Sequence, residues 1–131
     1  LLSCSNSDDR LDNNPNLIDP LVQISLNLNL PEYNALSFPG GSVIVQNQGV
    51  GGIVVYNVNN DLYTAFDLSD PNHPPNNCSR MEVTGVIATC TCSTDDNEYD
   101  LVTGSHRTNP ALFPMQMYRA QLNGSVVSVT N

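Results

Sequence analysis

From position 22, the apolar residues Val22, Ile24, Leu26, Leu28 and Leu30 alternate with Gln23, Ser25, Asn27 and Asn29. A period of two sends every second side chain to one face of an extended chain, so residues 22–30 are predicted to form a strand with one buried face. Pro31 is predicted to end it, because proline has no N–H to give to a ladder. The rest of the chain continues in short pieces of the same kind. Pro39-Gly40-Gly41 turns the chain into 42–46 (SVIVQ), residues 47–52 turn it into 53–56 (IVVY), and Val58-Asn59-Asn60-Asp61 closes a hairpin onto 62–66. Residues 80–83 and 86–89 can pair across Thr84-Gly85, and 98–102 is a short strand ended by Thr103-Gly104. Residues 115–122 and 125–129 meet at Asn123-Gly124, a strong hairpin signal because both positions tolerate positive φ. No run holds helical periodicity for three turns, and a single turn around residues 32–35 organises nothing else. The pattern predicts an all-β fold, a sandwich or small, partly open barrel.

The chain has 131 residues, 40% of them hydrophobic, which suits one domain with a true core. Eighteen asparagines fit a turn-rich β protein. Thirteen acidic residues face four arginines and no lysine, for a formal charge of -9. Such a surface is a poor partner for nucleic acid, whose phosphates need basic clusters, and it resists close approach to anionic head groups. No apolar run is long enough for a spanning helix. The division predicted is an N-terminal tether over residues 1–20 and a single β domain over 21–131.

Leu1-Leu2-Ser3-Cys4 resembles a bacterial lipobox, in which the cysteine is lipidated. Ser7-Asp8-Asp9 resembles the acidic export tag of surface lipoproteins of the Bacteroidetes group. These resemblances imply lipidation (palmitate) at Cys4 and an outer-membrane address facing the cell surface, with the periplasmic face as the alternative.

The order of the remaining fragments carries a second resemblance. VQISLNLNLPEYNALSFPGGSVIV, GGIVVYNVNNDLYTAFD, two loops, and FPMQMYRAQLNGSVVSV follow one another as in Rieske iron–sulfur domains. The family's aromatic-Ala-Phe-Asp phrase is matched by Tyr63 to Asp67, and its Tyr-Asp and Thr-Gly after the second loop by Tyr99-Asp100 and Thr103-Gly104. Pro114 and Tyr118 match its last strand. The likeness spans about residues 22–130 and implies stacked antiparallel sheets, with two loops linked at one tip.

The family's ligands, C-x-H in the first loop and C-x-x-H in the second, are mostly replaced. Asp70 stands at the first cysteine, Asn72 at its histidine, Cys90 at the second cysteine and Ser93 at its histidine. A Rieske centre needs two thiolates on one iron and two imidazoles on the other. Borrowing His73 and His106 would still leave this pattern one ligand short, so no cluster and no metal are expected. Respiratory Rieske proteins carry an extra cysteine in each loop, and that likeness implies a Cys78–Cys92 disulfide; Cys78–Cys90 is the rival pairing. Asp95, Asp96, Asn97, Glu98 and Asp100 are oxygen donors suited to Ca2+, but they lack EF-hand order and its glycine, and a solvated acidic loop is the plainer reading.

His106, Arg107 and Phe113 are candidate partner-facing residues. No catalytic residues are expected, and the chain is not expected to be an enzyme. The function expected is that of a cluster-free, lipid-anchored binding or accessory subunit of an outer-membrane protein assembly. The alternative is a Rieske-type electron-transfer protein with displaced [2Fe-2S] ligands.

Overall fold

The structure is a computed structural model that describes residues 14–16 and 20–131. Nine strands and one 3-10 helix are found among the described residues: β1 (Gln23–Asn27), the helix (Pro31–Ser37), β2 (Ser42–Val45), β3 (Ile53–Asn57), β4 (Tyr63–Asp67), β5 (Glu82–Thr84), β6 (Ile87–Thr89), β7 (Glu98–Asp100), β8 (Met117–Asn123) and β9 (Val126–Thr130). They form a six-stranded sheet in the order β1-β9-β8-β4-β3-β2 and a three-stranded sheet in the order β5-β6-β7. All the strand pairings are antiparallel. The all-β expectation holds.

The middle of the large sheet is buried on both faces. Ile53 and Val55 of β3, with Ala65 and Tyr63 of β4, face one core, together with Leu26, Val127, Val129 and Leu36. Val54, Tyr56 and Phe66 face a second core, shared with Ala88, Tyr99, Leu101 and Met115 on the side of the small sheet. Strand alternation distributes the apolar run IVVY between these two cores, which is why its sequence shows no polar alternation. Only two residue pairs, Ala65↔Tyr118 and Phe66↔Met117, join β4 to β8. The sheet therefore curls at this short seam into a half-barrel.

Two sequence boundaries move. β1 stops at Asn27, before Pro31, because the Asn27 carbonyl accepts from Leu30 N–H and its side-chain oxygen from Asn29 N–H. That local turn competes with the ladder, and Leu30 is left 43% exposed. The β5–β6 hairpin turns at Gly85-Val86 rather than Thr84-Gly85, with Thr84 paired to Ile87. Gly85 there has φ +61°, a conformation glycine adopts without a Cβ penalty.

Asp67 ends β4 and ties the fold together. Its carboxylate accepts hydrogen bonds from Val50 N–H at 2.6 Å, Gly51 N–H and Ser69 N–H at 2.9 Å each, and Tyr118 Oη–H at 2.8 Å. The β2–β3 loop can come this close because Gly49, at φ +66°, has no Cβ; one would collide with the Asp67 carboxylate. The small sheet packs beneath, and Thr64 Oγ1–H donates to Leu101 C=O at 2.6 Å across the interface. This arrangement leaves the loop after β4 and the loop between β6 and β7 side by side at one tip.

Candidate functional site

The two loops are joined covalently: Cys78 and Cys92 form a disulfide with Cα atoms 4.9 Å apart. Cys90 is a free, buried thiol. Strand β6 ends at Thr89, and the extended backbone beyond it turns alternate side chains to opposite sides. Cys90 and Cys92 thus share a side, while Thr91 faces out and gives its hydroxyl to the Cys78 carbonyl at 2.9 Å. In the first loop, the Asn76 side-chain oxygen accepts from the N–H groups of Cys78 and Ser79, a turn that carries Cys78 toward the second loop.

Asp70, fully buried, fills the centre of the tip. It accepts from Tyr99 Oη–H at 2.6 Å, Asn72 N–H at 3.0 Å and Asn97 Nδ2–H at 3.1 Å. Burial alone would raise its pKa, but the hydrogen bonds from Tyr99, Asn72, Cys90 and Asn97 outweigh burial and leave it lowered. The same contacts act oppositely on their donors. Burial, helped by hydrogen bonds that the thiol donates to the Asp95 and Asp70 carboxylates, pushes the Cys90 thiol up to about 12. Burial foremost, with Asp70 beside it, also raises Tyr99. Cys90 is consequently a protonated thiol at neutral pH, unlike a reactive thiolate.

Asn72 lies beside Asp70, and its side chain gives Nδ2–H to Tyr99 Oη at 2.8 Å and to Phe113 C=O at 2.9 Å while accepting Phe113 N–H. These bonds dock the 109–114 loop on the tip, where Phe113 is 36% exposed. Ser93 is exposed and stands away from this network. His106 is turned inward. Its Nε2 meets Asn97 Oδ1 at 2.9 Å, its Nδ1 accepts Asn109 N–H at 3.0 Å, and its ring packs edge-on against Tyr99 with centroids 5.2 Å apart. Arg107 is exposed and pairs with Glu98 at 3.2 Å.

The acidic stretch does not converge on one point. Asn97 serves Asp70, Glu98 serves Arg107, and the Asp100 side chain accepts Val102 N–H at 2.6 Å. His73 stands one residue after Asn72, the position matched to the family's first histidine, which would aim its ring away from the family's ligand site. Instead a ring nitrogen of His73 lies with the sulfurs of Cys78 and Cys92 in a trio of donor atoms all within 4.8 Å of one another. Cys90, Cys92 and Asp95 form a second such trio. The signal available in the sequence was the Pro74-Pro75 pair, which bends the loop just after His73.

The positions matched to the family's ligands do not fit a [2Fe-2S] cluster: an aspartate, an amide and a hydroxyl stand where a thiolate and two imidazoles are needed. The donors that do gather, His73, Cys78, Cys90 and Cys92, include two sulfurs committed to a disulfide.

The backbone geometry has known counterparts. The fold matches a chain of the complex of reduced oxygenase and oxidised ferredoxin in carbazole 1,9a-dioxygenase, with a TM-score of 0.53 at 15% identity, over 84% of this chain and 92% of that one. The fold is Rieske-like. It also matches the ferredoxin of carbazole 1,9a-dioxygenase from Nocardioides aromaticivorans IC177, with a TM-score of 0.51, 16% identity and coverage of 86% and 98%. A putative NADH-dependent nitrite reductase small subunit from Mycobacterium tuberculosis matches with a TM-score of 0.50, 19% identity and coverage of 86% and 97%. No protein-family model matches the sequence, and no curated protein matches it.

This likeness corrects the expected function, partners and location. It leads to ferredoxin components and not to a lipid-anchored accessory subunit of an outer-membrane assembly. The lipoprotein, palmitate and outer-membrane readings, built on Cys4 and its neighbours, rested on residues 1–9, which lie outside the described residues. No helix of the described residues is long and apolar enough to cross a membrane.

Proposed function

We propose that this chain is an electron-transfer protein of the Rieske-ferredoxin type that keeps Cys90 from the family pattern and whose other metal ligands are displaced onto His73, Cys78 and Cys92. The observation that supports this reading is the gathering of three sulfurs and an imidazole at the tip of a Rieske-like fold, the end where that family's ligands would stand. Iron held there would supply one-electron chemistry. The chain's own residues position the donors: Asn76 and Thr91 hold the Cys78 backbone, and Asp70 with Tyr99 walls the site from the core. Two of the four donors become available only when the Cys78–Cys92 bridge is reduced, so carriage belongs to the dithiol form. The partner is a redox protein that meets this tip, and the exposed Phe113 beside Asn72 offers it an aromatic contact.

The test is anaerobic. Protein made in an iron–sulfur-competent host and kept reduced should contain iron and show a visible spectrum that bleaches on reduction and returns on oxidation. Folded, colourless, iron-free protein after reconstitution with ferrous iron and sulfide would overturn the proposal.

A further inference from the structure

Two trios of donor atoms overlap at Cys92: His73, Cys78 and Cys92 in one, Cys90, Cys92 and Asp95 in the other. A contact of 4.0 Å between His73 Nε2 and Asp95 Oδ2 closes the ring of residues on its far side. His73 is already set as a ligand. Its Nδ1 lies 2.8 Å from the Pro74 carbonyl, which can only accept, so Nδ1 carries a proton and the neutral tautomer compatible with this contact presents its lone pair at Nε2. Fixing one ring nitrogen on a backbone carbonyl is how metal-ligating histidines are commonly oriented. Cys90 and Cys92 are both buried and Cys78 is half-buried, so the sulfurs are shielded from bulk water yet lie at a surface tip.

We propose that reduction of the Cys78–Cys92 disulfide creates a site for one thiophilic divalent metal ion, of the zinc class, ligated by Cys78, Cys90, Cys92 and His73. The inference rests on the same reading of the tip as a donor cluster, but it needs no electron transfer. Three thiolates and one imidazole are a common zinc set, and tetrahedral Zn–S bonds of about 2.3 Å place sulfurs roughly 3.8 Å apart. Within each trio the donors already lie within 4.8 Å of one another, and tetrahedral geometry asks that the opened Cys78 and Cys92 sulfurs part from 2.06 Å and that Cys90 and His73 close on them from either side. The reductant is a dithiol. Its two thiols become a disulfide while the Cys78–Cys92 S–S bond takes up two electrons and two protons and opens. The ion then displaces the thiol protons of Cys78, Cys90 and Cys92 into solvent, leaving a site of net charge −1 with neutral His73. Asp95 is left beside His73 as an outer neighbour. The bridge is thereby a gate: oxidised, the tip is stapled by sulfur; reduced, the same sulfurs hold a cation in its place.

The full chain is reduced with a dithiol, desalted without oxygen and titrated with Co2+, whose visible bands report tetrahedral coordination and whose near-ultraviolet absorption reports thiolate bonding. One Co2+ per reduced chain, displaced by Zn2+, with none bound by the disulfide form, is the expected result. Cys90→Ser and His73→Ala should each weaken binding by more than about a hundredfold, since loss of outer partners alone costs 10–100-fold. A folded reduced chain that leaves Co2+ in its aqueous spectrum overturns the proposal, as does tight binding unchanged in Cys90→Ser. Should reduction loosen the fold, Zn2+ must restore the circular dichroism of the oxidised protein, and failure to do so counts equally against the site. Stoichiometric Co2+ alongside an iron form that will not cycle would sink the electron-transfer reading and leave this site standing.

Discussion

Asp67 and Asp70 stand three residues apart, both fully buried, and among the described residues neither is in an ion pair. Burying a carboxylate without a cation is costly unless enough donors replace its water shell. The two are satisfied differently. Asp67 takes three backbone N–H groups, from Val50, Gly51 and Ser69, and the Tyr118 hydroxyl, so it is built into the β2–β3 loop and the β4–β8 seam. Asp70 takes one backbone N–H and the side chains of Tyr99 and Asn97, which arrive from β7 and the second loop. Backbone donors move only if the fold moves, whereas side-chain donors can turn away. The difference teaches that the sheet end of this segment is fixed scaffold, while the tip is closed by contacts that can be rearranged without dismantling the sheets.

The largest effect should come from Asp67→Ala. It strands several donors at once, for a loss of about 3–5 kcal/mol read as a lowered denaturation midpoint. A loss under about 1 kcal/mol would erase the distinction between scaffold and tip. Next, Cys78→Ser combined with Cys92→Ser removes closure of a loop of 14-residue separation, worth about 3 kcal/mol in the chain-entropy account. Amide exchange should then speed up at Asp70 and Cys90 and stay slow through β3 and β4; uniform acceleration would mean that tip and sheet open as one unit.

The smallest effect is the pH response of Asp70→Asn. With the native Asp70 pKa lowered, the group stabilises the fold above the unfolded-state pKa of about 3.9. That contribution is lost as pH falls through the folded-state pKa, which lies below the unfolded one. The stability gap between wild type and Asp70→Asn, of about 1–2 kcal/mol at neutral pH, should therefore shrink as pH is lowered from 5 through the folded-state pKa. A gap constant across that range would show that Asp70 acts through shape rather than charge.

Much of the sheet architecture was legible because it depends on local rules. Alternation marked β1, the glycine and asparagine turns marked the breaks, and Asn123-Gly124 placed the last hairpin between β8 and β9. The run Ile53 to Tyr56 and the phrase Tyr63 to Asp67 marked the strands that both cores share. The replacements at Asp70, Asn72 and Ser93 were also readable as poor cluster ligands from side-chain chemistry alone. The role of Asp67 was not, since its donors come from residues 16 and 17 positions earlier and 51 later. The family likeness favoured Cys92 over Cys90 as the partner of Cys78, and the tertiary structure decided it; the tertiary structure alone brought His73 to the sulfurs and turned His106 inward. The physical reason is that strand periodicity is set by each residue's immediate neighbours. Which loop atoms meet is set by two chain segments crossing in space, and neither segment encodes the path of the other.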